Sequence, residues 1–224
     1  MPFQTLPSWL QLGVFLLSVN AGMINVLSLI TVLHQSVSHM TGNVSIFAMA
    51  LIEWKPDVLL YLFLVVLCYL IGSMYSGLIL GNSHFELGRL YGLPLSLMAF
   101  FIFLCWLIIP YFPRYGLLWA CLAMGVQNAM ISHYKGTIIR TTHLSGVITD
   151  LGLALGYKLR GLDVSKKRVA LHALILIGFL VGGVIAALTS PILQFNAFLI
   201  PAILSFVLSL IYWIIYFHRY RNGL

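Results

Sequence analysis

Charged side chains are scarce in this sequence. They make up 8% of its 224 residues, whereas about 25% is usual in soluble domains. No Asp, Glu, Lys or Arg precedes Glu53, and none lies between Arg168 and Arg219. This scarcity excludes an ordinary soluble domain. With 61% apolar residues and a mean hydropathy of +1.03, the sequence predicts an all-α integral membrane protein.

Cysteine is also rare, and the three cysteines, Cys68, Cys105 and Cys121, lie singly in apolar runs. They lack C-x-x-C or Cys/His spacing, so the pattern argues against a disulfide framework or a zinc site. The H-E-x-x-H, G-x-S-x-G, P-loop and G-x-G-x-x-G motifs are missing too. We therefore expect no enzymatic activity, no cofactor and no bound metal.

The few charges are mainly basic and give a formal net charge of +7. Lys and Arg sit in short loops and at the C-terminus, where they act as topology signals and meet anionic lipid headgroups. This placement favours the lipid bilayer over nucleic acid as the partner of the basic side chains. It also predicts that the C-terminus is cytoplasmic.

A short polar signature occurs twice. Residues 22–25 read Gly-Met-Ile-Asn and residues 39–42 read His-Met-Thr-Gly; residues 125–128 read Gly-Val-Gln-Asn and residues 143–146 read His-Leu-Ser-Gly. Both copies fit G-x-x-N followed by H-[M/L]-[T/S]-G, so we interpret them as an internal duplication. The chain is then a single membrane domain, 1–224, with one repeat at about 9–112 and another at about 115–218.

Apolar stretches predict the membrane-spanning helices. Six stretches are read as spans: 9–33, 58–80, 94–112, 117–131, 169–188 and 197–217. Two more, 40–52 and 142–157, are shorter than the roughly 20 residues that a full crossing requires. If the short segments cross, there are eight spans; if they do not, there are six spans and two re-entrant half-helices. Segment length favours six, which relates the repeats by an inverted two-fold axis, as in many secondary transporters.

The repeated polar residues are the candidate solute site. Helix N-termini carry unpaired N–H groups and partial positive charge, and we expect the two short helices to begin near Thr41 and Ser145 with Thr41 as an N-cap. Two such ends converging would bind a polar or anionic solute, with Asn residues as lateral walls. The competing interpretation is that Thr41 and Ser145 only cap their helices and that the glycines only allow close helix packing. The predicted substrate-binding residues are Asn25, Thr41, Gly42, Asn43, Asn128, His143, Ser145 and Gly146.

Asp150 is the only acidic residue inside an apolar segment. It follows His143 by seven residues, which places both on nearly the same helix face. Ionisable residues within membranes usually face a polar interior, so Asp150 is a candidate for ion or proton coupling. A structural hydrogen-bonding role near the membrane surface is the alternative. His172 is not predicted to be a functional residue.

The segments 38–43, 123–128 and 140–152 together resemble the YoaK-like family of bacterial multi-pass membrane proteins, a domain of unknown function. The similarity covers nearly the whole chain. It implies a bacterial inner-membrane location and a suspected role in small-molecule transport. The chain departs from the family pattern at Asn25, where relatives often carry an acid, and at residues 143–146, where relatives often carry Tyr-Val-Thr-Gly. A neutral Asn25 weakens the case for ion coupling in the first half.

These observations together predict a secondary transporter or facilitator of a small polar or anionic solute. The alternative is a non-transporting membrane scaffold or accessory protein, in which the polar motifs only pack helices. An intramembrane enzyme using His143 and Asp150 is a third, weaker interpretation because no nucleophile accompanies them. A homo-oligomer is compatible with either of the first two.

Overall fold

The computed structural model describes residues 8–31, 36–81, 89–131 and 141–221, and the described residues are helical with short turns. No strand occurs among them. The all-α prediction is therefore confirmed for this part of the chain. The helices are α1 (Ser8–Thr31), α2 (Met40–Ile52), α3 (Pro56–Leu80), α4 (Arg89–Ile108), α5 (Pro113–Ile131), α6 (Leu144–Leu159), α7 (Lys166–Leu193), a 3-10 turn (Gln194–Phe198) and α8 (Leu199–Arg221).

Helix boundaries follow the local sequence. Short helix α2 spans the predicted residues, and α3 begins with Pro56, whose fixed φ suits a first helical turn. The predicted start of the third span at Pro94 is wrong, because α4 begins at Arg89 and contains Pro94. Pro94 is the sixth residue of α4, where it removes one intrahelical hydrogen bond and its ring crowds the carbonyl four residues earlier. Ser165 caps α7 by accepting a bond from the Arg168 N–H.

Hydropathy matches a membrane environment. Within the described ranges, four stretches are long and apolar enough to cross a bilayer: Ser8–Thr31, Pro56–Leu80, Tyr91–Ile108 and Lys166–Arg219, the last of which contains α7 and nearly all of α8. Their outer faces expose large apolar side chains such as Leu78, Leu180 and Leu188. Helix α5 is not among the four, and most of its side chains are buried by protein. A helix surrounded by protein can carry polar groups that lipid contact would not tolerate.

Two helix pairs cross at unusually short range through glycine. In the α1/α7 pair, a Cβ atom added at Gly22 would overlap the Phe179 carbonyl oxygen, and one added at Gly182 would overlap the Val19 carbonyl oxygen. Small residues of this kind allow helix backbones to touch within membranes. Each glycine is therefore required by the backbone of the facing helix.

The α3/α5 pair repeats this geometry. A Cβ at Gly125 would overlap the Tyr69 carbonyl oxygen, and one at Gly72 would overlap the Leu122 carbonyl oxygen. In both pairs the carbonyl lies three residues before the glycine of its own helix, at Val19 and Leu122 for α1 and α5. The two crossings therefore have matching registers, with α1 corresponding to α5 and α7 to α3.

Helices α4 and α8 pack side by side in opposite directions. The Ser96 and Ser209 hydroxyls lie 2.8 Å apart near one end of the pair. Near the other end, Trp106 Nε1 donates to Asn196 Oδ1 at 3.3 Å, in the turn before α8. As the residue number rises along α4 it falls along α8, so the pair is antiparallel.

Candidate functional site

The end of α1 and the segment before α2 form the first polar corner of the molecule. Asn25 Oδ1 accepts hydrogen bonds from the Ser36 hydroxyl and from the Ser38 hydroxyl at 3.1 Å. Asn43 Nδ2 donates to the Ser36 carbonyl oxygen at 2.8 Å. Ser36, Ser38 and Asn43 are buried. The corner ties the start of α2 to α1 without charged groups.

The end of α5 and the segment before α6 form the second corner in the same way. Asn128 Oδ1 accepts from the Thr142 hydroxyl at 3.0 Å and from the Thr141 hydroxyl at 3.5 Å. Thr142 and Ser38 each precede the repeated histidine by one residue. The two signature asparagines thus accept hydrogen bonds from equivalent residues of the two repeats.

A buried chain of hydrogen bonds runs through the interior to the second corner. Ser205 donates to Asn20 Oδ1 at 3.3 Å, Asn20 Nδ2 donates to Gln127 Oε1 at 3.2 Å, and Gln127 Nε2 donates to Thr141 Oγ1 at 2.9 Å. The exposed fraction of Asn20, Gln127, Thr141 and Ser205 is 0%. Continuing through Asn128, this central polar chain connects α8, α1, α5 and the start of α6.

Gln127 is the centre of that chain. Besides Thr141, Gln127 Nε2 also donates to the Leu17 carbonyl oxygen at 2.9 Å. Both amide hydrogens and the amide oxygen of Gln127 are therefore hydrogen-bonded. Buried amides are costly unless they are paired in this manner. Sequence reasoning did not select Gln127, Asn20 or Ser205 as site residues, although Gln127 stands inside the repeated signature.

The N-termini of the short helices do not meet. No Cα atom of α2 lies within 8 Å of a Cα atom of α6, both of which are fully described. The predicted residues therefore divide into one group at each corner. Thr41, His143, Ser145 and Gly146 are exposed on the short helices. Among the described residues, the central polar chain reaches the second corner through Thr141 and does not join the two corners.

The expected N-cap is wrong. Helix α2 has His39 at its N-cap position, and α6 has His143 there; neither side chain caps its helix. Thr41 lies inside α2, where its carbonyl oxygen accepts from the Ser45 hydroxyl at 2.9 Å. A Cβ at Gly42 would meet the ring of His39, which is an exposed side chain that can rotate away.

Asp150 lies apart from both corners. Its Oδ2 atom is 3.1 Å from Arg168 Nη2 and 3.3 Å from His172 Nε2, both on α7. The carboxylate side chain is 34% exposed. These groups line a cavity of about 270 Å³ between α6 and α7, with Tyr157 and Asp163 at its edge. Arg168 and His172 are thus the partners of Asp150 that sequence reasoning missed.

Within the described ranges, no cluster of three or more His, Cys, Asp or Glu side chains is arranged to hold a metal ion. The corners and the central polar chain are built from neutral hydrogen-bonding groups, and Asp150 is a partly exposed, ion-paired acid. Such groups bind polar solutes, or bind helices to one another.

Apolar helices of crossing length around a buried polar chain define a multi-pass α-helical membrane protein. Residues 13–211 match the family described as "Protein of unknown function (DUF1275)". The chain belongs to this family, in agreement with the resemblance to a YoaK-like family. No curated protein and no solved structure matches the chain.

Proposed function

We propose that the protein is a secondary transporter or facilitator of a small polar or anionic solute in the bacterial inner membrane. The observation that carries this proposal is the central polar chain through Asn20, Gln127 and Thr141. Polar groups within a membrane protein are expensive and commonly mark solute pathways. No enzymatic step is required for this function.

We further propose that the two repeats are inverted and that α2 and α6 are re-entrant. With α4 corresponding to α8, their antiparallel course supports a two-fold axis in the membrane plane. If α5, α6 and α7 all crossed the membrane, α4 and α8 would cross it in the same direction and would be parallel. Helix α2, with 13 residues, reaches only about 20 Å at 1.5 Å per residue, against a hydrocarbon core of about 30 Å.

Cysteine labelling in intact cells tests this topology. In a variant lacking Cys68, Cys105 and Cys121, single cysteines replace exposed Trp54 or Tyr115. With a cytoplasmic C-terminus, six crossings place both probes outside, and an impermeant reagent labels them. Eight crossings place both inside. A cysteine at exposed Leu162 stays cytoplasmic in either topology and serves as the unlabelled control.

The transport proposal is tested by solute-dependent stabilisation and uptake. A panel of small carboxylates, amino acids and polyols is added to the purified protein, and thermal unfolding is followed. We expect one solute class to raise the melting temperature and to enter proteoliposomes. Gln127→Leu should abolish both effects, whereas Ser73→Ala, at a side chain bonded within the α3/α5 crossing, should retain them.

A membrane scaffold or accessory role is the second candidate. It is favoured by the mutual pairing of the polar groups, since Gln127 already uses both donors and its acceptor inside the protein. Such pairing is also how interhelical hydrogen bonds hold membrane helices together. A protein that no solute stabilises and that moves none would support this role over transport.

Proton coupling through Asp150 is a further part of the transport proposal. Asp150→Asn should remove pH-dependent uptake while leaving the protein folded in the membrane. The ion pair with Arg168 gives the carboxylate a structural role as well. Unchanged uptake and pH dependence in this variant would leave Asp150 with that structural role alone.

A further inference from the structure

The turn between α6 and α7 combines basic charge with exposed apolar side chains. We infer that this elbow, residues 158–168, is a binding site for the headgroup of an anionic phospholipid. Five of the twelve Lys and Arg residues of the chain fall in this stretch, with Asp163 as its only acid. All five basic side chains are exposed. The inference does not depend on transport.

Four of those charges have no ion-pair partner among the residues that the structure describes. Arg168 is paired with Asp150, but within the described part of the chain no carboxylate lies at ion-pair distance from Lys158, Arg160, Lys166 or Lys167. Such side chains are available to phosphate oxygens. Basic clusters beside a membrane helix attract anionic lipids.

The position of two lysines points to a ligand outside the helix. Lys166 and Lys167 occupy the first turn of α7, where the helix dipole disfavours positive charge. They therefore do not stabilise the helix that carries them. A bound phosphate would remove the unfavourable interaction and add charge-assisted hydrogen bonds.

Exposed apolar side chains at the same elbow could contact the acyl chains of a lipid. Leu159 is 81% exposed and Leu162 is 53% exposed, on either side of Gly161, whose φ of 75° forms the turn. Leucines exposed between lysines and arginines would sit at the level of the acyl chains while the basic groups reach the phosphates. A soluble anion would gain nothing from these leucines.

The corresponding elbow between α2 and α3 provides the internal contrast. Its one basic residue, Lys55, is ion-paired with Glu53, and Asp57 gives the turn an acidic balance. Nothing there would attract a phosphate. The lipid site is thus a feature of one elbow and not of the duplicated fold.

The test is direct counting of bound lipid. Purified full-length protein is titrated with phosphatidylglycerol or phosphatidylcholine in detergent, and bound lipids are counted by native mass spectrometry. We expect saturable binding of phosphatidylglycerol only. Lys166→Gln/Lys167→Gln should weaken it roughly 25-fold, at about fivefold for each basic side chain near an anionic surface.

Arg219→Gln/Arg221→Gln removes the same charge from the end of α8 and is the matched control. Equal weakening in both double variants would overturn the site, as would equal binding of phosphatidylcholine. Glycerol phosphate competing at the same concentration as the lipid would also overturn it, because the elbow would then bind a soluble anion. Helix content and elution volume check that each variant is folded.

Discussion

The two halves of the molecule have matching helix crossings and polar corners, but they differ in their other polar side chains. Gly22 and Gly125 touch the facing backbone alike, and Asn25 and Asn128 each accept hydroxyl bonds from the segment before a short helix. The repeated glycine crossings therefore join the two halves, and the repeated corners attach each short helix to the long helix before it. Such features stabilise the fold. Because they are alike in both halves, they cannot by themselves give the two halves different roles.

Two polar groups of the second half have apolar counterparts in the first half. Gln127 stands where the first half has Ile24, judged from the repeated signature. Asp150 stands where the first half has Ile46 by the same alignment, and its ion pairs with α7 have no described counterpart on α2. The polar groups that distinguish the halves are the candidates for unequal roles in function.

The largest effect is expected where the halves are most alike. Gly22→Val or Gly125→Val forces a side chain into a facing carbonyl, and overpacking commonly costs about 1–3 kcal/mol and occasionally more. Because backbone atoms obstruct the new side chain, we expect loss of folded protein. Size-exclusion elution and helix content measure it.

Gly77→Val on α3 is the control, because nothing lies within 4 Å of a Cβ at that position. It should leave the protein folded. If Gly22→Val and Gly77→Val behave alike, the close crossings do not determine assembly. If only one of the two matched glycines is essential, the halves are less equivalent than their geometry indicates.

The next effect concerns the central polar chain. Gln127→Ile gives the second half the residue of the first and removes bonds to Asn20, Thr141 and the Leu17 carbonyl. Interhelical bonds in membranes average about 0.6 kcal/mol, with a maximum near 1.7, so we expect a loss of about 1–2 kcal/mol. Equilibrium unfolding in mixed micelles measures it.

A double-mutant cycle with Asn20→Ala sharpens this prediction. Coupled bonds require that the combined loss be smaller than the sum of the single losses. Strict additivity would mean that Asn20 and Gln127 act independently despite their 3.2 Å contact. The hydrogen bonds of the central polar chain would then not be energetically coupled.

A smaller effect should be equal in the two halves. Asn25→Ala and Asn128→Ala each remove an amide that ties the start of a short helix to a long one. We expect each variant to lower the free energy of unfolding by about 1 kcal/mol, within the range for interhelical bonds. A clear difference between the two values would show that one corner contributes more, and hydrogen exchange at α2 and α6 would locate the change.

The sequence allows prediction of those parts whose cause is local or repeated. The bounds of α2 follow from apolar length. That Asn25 and Asn128 form the walls of a solute site stays a prediction, and the structure shows each of them bonded to the segment before a short helix. The pair Asn20 and Gln127 could not be found in this way. Its partners are 107 residues apart, and the repeat comparison concealed them because the matching positions, Ala123 and Ile24, are apolar.

The partners of Asp150 are a second example of contacts that the sequence could not predict. Helical periodicity relates Asp150 to residues of its own helix, such as His143, but carries no information about a neighbouring helix. The contacts with Arg168 and His172 arise only when α6 folds back on α7. Tertiary packing therefore selected partners that spacing along the chain did not indicate.

The smallest effect on stability is expected from breaking that ion pair. Asp150→Asn removes a partly exposed interaction, and such pairs contribute about 0–1 kcal/mol. Because α6 packs on α7 and on no other helix in the described ranges, the change should appear as faster hydrogen exchange in α6 with little change in global unfolding. Glu53→Gln, at the exposed pair of the opposite elbow, is the control and should leave α6 unaffected. A global loss as large as that of Gln127→Ile would contradict this assignment, since Asp150 would then stabilise the whole bundle and not the attachment of one short helix.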